Sequence, residues 1–125
     1  MKKYFKLFII FALLNSNFGC CFVDPMTQAQ NLSSKGKFED AIKILEKQYK
    51  LHPDSTPIKS ILAQTYSDYG LVLCQDDTKP PRIKYPMAKE QFAMALVLNP
   101  YLKDAKDMYE TIEQIQSSFK ANKID

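Results

Sequence analysis

Residues 38–53 read FEDAIKILEKQYKLHP, and residues 85–100 read YPMAKEQFAMALVLNP. Each segment opens on an aromatic residue, places Ala three positions later (Ala41, Ala88), sets a large apolar residue four beyond that (Leu45, Phe92), and closes on Pro53 or Pro100. Such self-similarity is the sequence mark of a repeat architecture. In the first segment Phe38, Ala41, Ile42, Leu45 and Tyr49 recur at i, i+3, i+4, i+7 and i+11, one stripe of an α-helix rather than the alternation of a strand. Met87, Ala88, Phe92, Ala95 and Leu96 hold a similar register in the second. The fold class that follows is all-α.

Punctuation around these segments supplies the remaining helices. Asp24-Pro25 places a capping acceptor before a Pro at the first helical position, where its missing N–H costs nothing, and predicts a helix from Pro25 to about Lys35. Gly36 ends it, and Pro53 closes the second helix just after His52. Ser55-Thr56-Pro57 opens a third helix carrying Ile58, Ile61, Leu62, Thr65, Tyr66 and Tyr69. Leu71 to Cys74 extends it by about one turn. The stretch QDDTKPPRIK, residues 75–84, has a Pro pair and mixed charge and predicts an exposed loop. A fourth helix is expected from near Pro86 to Asn99-Pro100. A fifth should run from about Leu102 to Phe119 with Ala105, Met108, Tyr109, Ile112 and Ile115 inward, before a polar tail at 120–125. A chain of 125 residues with no Trp and three Gly accommodates one small helical domain, not a large enzyme fold.

The N-terminal segment has a different character. Met1 to Lys6 is basic, Leu7 to Leu14 (LFIIFALL) is uninterruptedly apolar, and a short polar stretch reaches Gly19 before Cys20-Cys21. That is the anatomy of an export signal, and its apolar run is shorter than the roughly 20 residues needed to span a bilayer. The segment resembles a bacterial lipoprotein signal, in which a small residue (here Gly19) precedes the Cys that takes the lipid (here Cys20). Asn17 and Phe18 depart from the usual pattern. The resemblance implies a signal peptide at 1–19, an anchor linker at 20–24 and a chain lipid-anchored to a bacterial membrane, facing the periplasm. The alternatives are a secreted or periplasmic soluble protein, or an uncleaved anchor. Whether Cys21 and Cys74 pair stays open. The formal charge of +3 resides in Lys2, Lys3 and Lys6, so the rest of the chain balances fourteen basic against fourteen acidic residues. Nucleic acid is therefore not an expected partner.

The repeated segments resemble the second helix and closing turn of a tetratricopeptide repeat. Gly36, Phe38, Ala41, Leu45 and Pro53 match one copy, and Ala88, Phe92, Ala95 and Pro100 match another. The preceding helices agree more weakly, through Ala29 in the first and through Leu62, Ala63, Tyr66 and Gly70 in the second. The resemblance implies an antiparallel helix-hairpin solenoid over residues 25–119, with two divergent repeats and a C-terminal capping helix. The second copy departs from the pattern by about thirteen extra residues, an insertion placed at 71–84. Two units and a cap fall short of the three usually needed for stability, so self-association is an expected alternative.

The resemblance further implies a concave, peptide-binding face lined by the first helix of each unit. In this chain that face is expected to hold Met26, Gln30, Ser33 and Ser34, then Ser60, Gln64, Ser67 and Asp68, then Asp104, Asp107 and Thr111. Relatives that grip carboxylate tails use Lys, Asn and Arg there, and none stands at those places. His52 is the sole histidine, Asp76-Asp77 lacks the pattern of a calcium loop, and no phosphate-cradling Gly-rich loop occurs. No catalytic residue, metal or cofactor is expected. The expected function is a non-catalytic scaffold or assembly helper that binds another envelope protein or a peptide segment. A structural homo-oligomer and an accessory subunit of a membrane complex are the rivals.

Overall fold

The computed structural model describes residues 23–121, which form five α-helices: α1 (Pro25–Ser34), α2 (Phe38–Leu51), α3 (Thr56–Gln75), α4 (Pro81–Leu98) and α5 (Lys103–Ala121). The segment 1–19, Cys20, Cys21 and the last four residues of the polar tail lie outside the described residues. Connections of three to five residues bring consecutive helices back on one another as antiparallel neighbours. Each helix packs mainly on those adjacent to it in sequence, and the α3–α4 pair makes the most extensive contact. None of these helices is long and apolar enough to cross a membrane.

Local chemistry sets the helix boundaries. The Asp24 carboxylate accepts the Thr27 N–H at 3.2 Å, and Pro25 occupies the first helical position. At the other end of α1, Gly36 takes φ +75, its N–H donates to the Ser33 carbonyl at 2.9 Å, and the Lys37 N–H reaches back to Leu32 at 2.9 Å. This paired closure satisfies two carbonyls that a helix end otherwise leaves free, and it needs the left-handed conformation that glycine adopts without strain.

The core is built on alanine contacts filled by a few large side chains. Ala29, Ala41, Ala88, Ala95 and Ala105 have no exposed surface, and Leu45, Leu62, Phe92 and Ile112 fill the spaces between helices. Short side chains let helix axes approach, and one close approach is at Gly70, where a Cβ would lie 2.8 Å from two atoms of the Phe92 ring. Between α2 and α3, Phe38 stacks on Tyr69 with centroids 5.5 Å apart. The Tyr66 hydroxyl donates to Glu46 Oε1 at 2.6 Å, and the Tyr69 hydroxyl donates to Glu39.

Half of the stretch predicted as a loop over residues 75–84 is helical. Helix α3 continues through Gln75, α4 begins at Pro81 and runs through Pro86, and the connection shrinks to Asp76–Pro80. The physical reason is that the added turns bury each other's side chains. Leu73 is buried, Cys74 and Tyr85 are half-buried, and the Lys84 stem is only 8 % exposed while its ammonium reaches Asp77 at 3.5 Å. Asp76 closes the turn by accepting from Thr78 and Lys79, and these contacts, Lys79 foremost, hold its carboxyl down at about 2.

Candidate functional site

Ten of the eleven side chains expected to line a groove are at least partly accessible, and Ser67 is buried. Gln30, Ser34, Ser60, Gln64, Asp104, Asp107 and Thr111 are exposed, and Met26, Ser33 and Asp68 are half-buried. Several of their polar groups are occupied on their own helices. Ser33 Oγ donates to the Ala29 carbonyl at 3.1 Å and Ser34 Oγ to Asn31 at 3.0 Å. Gln64 donates to Asp68 at 2.9 Å, and Thr111 Oγ1 donates to the Asp107 carbonyl at 2.7 Å. Ser67 departs from the expectation altogether. It is 1 % exposed, its Oγ meets no partner, and it occupies the core because the helix face shared with Ala63 and Gly70 is the one that approaches α4.

A different surface stands out on α4. Ile83, Met87, Glu90, Met94 and Val97 follow one another at i, i+4, i+7, i+11 and i+14, and all five are exposed. With 3.6 residues to the turn they fall inside a wedge of roughly 80°, opposite the face that buries Ala88, Phe92 and Ala95. Val97 is 75 % exposed, and Tyr101, in the turn that follows, is 93 % exposed. A helix on a protein surface normally carries charge on its outer face, and this face has only Glu90 in its stripe. Periodicity does not tell which of two apolar stripes faces inward, and Met87, expected in register with Ala88 and Phe92, faces outward.

A polar hollow of about 540 Å³ holds Lys89, Glu110, Glu113 and Ser117. Here the Lys89 ammonium bonds Glu113 at 2.8 Å and lies 4.8 Å from the Tyr109 ring centroid. The Glu113 bond raises the Lys89 pKa, so this lysine keeps its proton and acts as a brace between two helices rather than a base. The hollow continues, through shared Gln116 and Lys120, into an apolar crevice of about 950 Å³ at the start of α4.

Burial pushes the Cys74 thiol upward, with the Lys84 charge opposing it, and a thiol so shifted holds little of the reactive thiolate. His52 is an exposed turn residue whose backbone N–H caps α2 on Gln48. Among the described residues no three His, Cys, Asp or Glu side chains gather as metal ligands. No family model, no curated protein and no solved structure matches this chain.

The two tyrosine bonds across α2 and α3 give a prediction in alkali. Burial first, then the bond to Glu46, pushes Tyr66 far above its ordinary value near 10, and burial with Glu39 lifts Tyr69 to about 12. A raised folded pKa means stability that is full below pH 10 and is lost as pH climbs through the folded values. Urea midpoints should therefore fall more steeply above pH 10 for the native protein than for the Tyr66→Phe, Tyr69→Phe double variant. Parallel curves would show that the two bonds carry no differential stability.

Proposed function

We propose that this protein is a non-catalytic binding module that holds another protein on the outer face of α4. The observation that carries the proposal is the uncovered stripe of Ile83, Met87, Met94 and Val97. Contiguous exposed apolar surface on a folded domain marks an interaction site, and anchors at this spacing suit a helix laid alongside. The tetratricopeptide-type stacking of two hairpins and a cap belongs to the same reading. It is supported by the repeated segments, by the alanine contacts and by packing between sequence neighbours. Export and lipid attachment at Cys20 complete it, and would place the stripe in the cell envelope.

A second copy of this chain is the rival occupant, and Glu90 argues against it. An antiparallel pair that matches Ile83 to Val97 and Met87 to Met94 sets Glu90 against its own copy at the two-fold axis. Like charges facing each other at the centre of an interface cost rather than stabilise. The better occupant is an amphipathic helix of another protein with Lys or Arg opposite Glu90.

Photo-crosslinkers at Met94 and at Gln64, with intact-mass analysis of adducts formed in cells, test the reading. Met94 should capture one dominant partner, and Met94→Lys with Val97→Lys should cut adducts from a probe at Met87 by about tenfold or more, as for loss of interface anchors. Thermal unfolding of that variant should be unchanged, because both side chains are exposed. Self-adducts alone would favour the homo-oligomer, and capture only from Gln64 would move the site to the other face. Intact mass also decides the anchor, since residues 1–19 still attached would overturn lipidation at Cys20.

A further inference from the structure

We infer that the crevice between the first turns of α4 and the last turns of α5 is a second binding site, for a peptide segment that joins an apolar side chain to carboxylates. It lies beside the stripe on α4 but does not depend on it, because different residues form it. Its wall is apolar: Pro80, Pro81, Tyr85, Pro86 and Phe119, the last of these 57 % exposed. A volume of about 950 Å³ takes a few side chains of a ligand, at the upper end for small-ligand pockets.

The polar groups on its rim choose the ligand. Arg82 and Lys120 are its charged residues, both are exposed, and neither forms an ion pair among the described residues. The acidic groups of the adjoining hollow are engaged elsewhere, Glu113 by Lys89 at 2.8 Å and Glu110 by Lys106 at 3.9 Å. Helix α4 starts at the crevice with no acidic residue in its first turn and no side-chain cap, so its amino end adds positive potential. These features are complementary to carboxylates set next to an apolar group. A crevice of limited size, with an apolar wall and two cations on its rim, fits a short acidic and apolar peptide segment rather than the extended surface of a membrane.

The test uses the full chain in phosphatidylcholine nanodiscs and fluorescence anisotropy with two labelled peptides. One carries two glutamates, a leucine, a phenylalanine and two further glutamates; the other has glutamine in place of each glutamate. The acidic peptide should bind about three- to tenfold more tightly, the range expected for two partly exposed charge pairs. R82Q with K120Q should erase that difference and leave the glutamine peptide unchanged, and Phe119→Ala should weaken both. All three side chains are exposed, so unaltered circular dichroism should accompany these losses. Equal affinity for the two peptides, or an acidic preference that survives R82Q and K120Q, would overturn the assignment. So would vesicles containing phosphatidylglycerol binding in a way that depends on Arg82 and Lys120 while neither peptide binds. Met94→Lys with Val97→Lys should leave peptide binding intact, which separates failure of this site from failure of the α4 stripe.

Discussion

Phe92→Ala should lower the stability of the domain by about 3–5 kcal/mol, the usual cost of emptying a large aromatic site in a core that relaxes only in part. Phe92 has no exposed surface and stands where α3 and α4 make their most extensive contact, against the bare backbone of Gly70. A domain of this size has a total stability of about 5–15 kcal/mol, so the loss takes a large share of it. At about 4–8 °C per kcal/mol, thermal unfolding by circular dichroism should register a large drop. Phe119→Ala is the matched control, because the same chemistry is removed from an exposed position. A similar drop in both variants would mean that α3 and α4 do not meet around Phe92.

Gly70→Ala should destabilise by about 1–3 kcal/mol through overpacking, even though alanine is the better helix former by about 1 kcal/mol. The added methyl would stand 2.8 Å from two ring carbons of Phe92 and 3.1 Å from a third. Gly70 lies within α3, so the propensity gain is real and only the contact can reverse its sign. The decisive measurement is the double-mutant cycle with Phe92→Leu. Once the ring is gone, Gly70→Ala should turn neutral or stabilising, and the coupling should reach about 1 kcal/mol or more. Additive effects from urea unfolding would place the cause elsewhere.

These two positions show how far the fold was legible. The helical class, five helices and most inward stripes follow from periodicity and from Pro and Gly at the boundaries, because these signals are local. Asp24-Pro25 and Gly36 do in the structure what their types predict. Residues 75–84 were not legible in the same way. Two prolines and mixed charge describe a loop by local propensity, yet Pro81 is the first residue of α4 and the helix runs on through Pro86. The contact of Leu73, Cys74, Lys84 and Tyr85 across the hairpin offsets the local penalty, and no local signal carries that information.

The candidate sites divide along the same line. Serine at position 67 suggests a polar surface, and its burial is fixed by the Gly70 approach. The expected groove side chains are mostly exposed, but several bond within their own helices, as hydroxyls on helices commonly do. The α4 stripe and the proline-walled crevice escaped sequence reading for a geometric reason. The first needs to be known as the face turned away from the core, and the second joins residues 80–86 to residues 116–120.

What the amino-acid sequence determined by itself was the helical class, the order of the helices and where most of them stop, because capping, proline and glycine act within a few residues of chain. What only the tertiary structure decided was the early start of α4 at Pro81, the burial of Ser67 and Lys84, and which apolar stripe of α4 is left facing outward. Those outcomes depend on contacts between residues distant in sequence, where burial outweighs local preference.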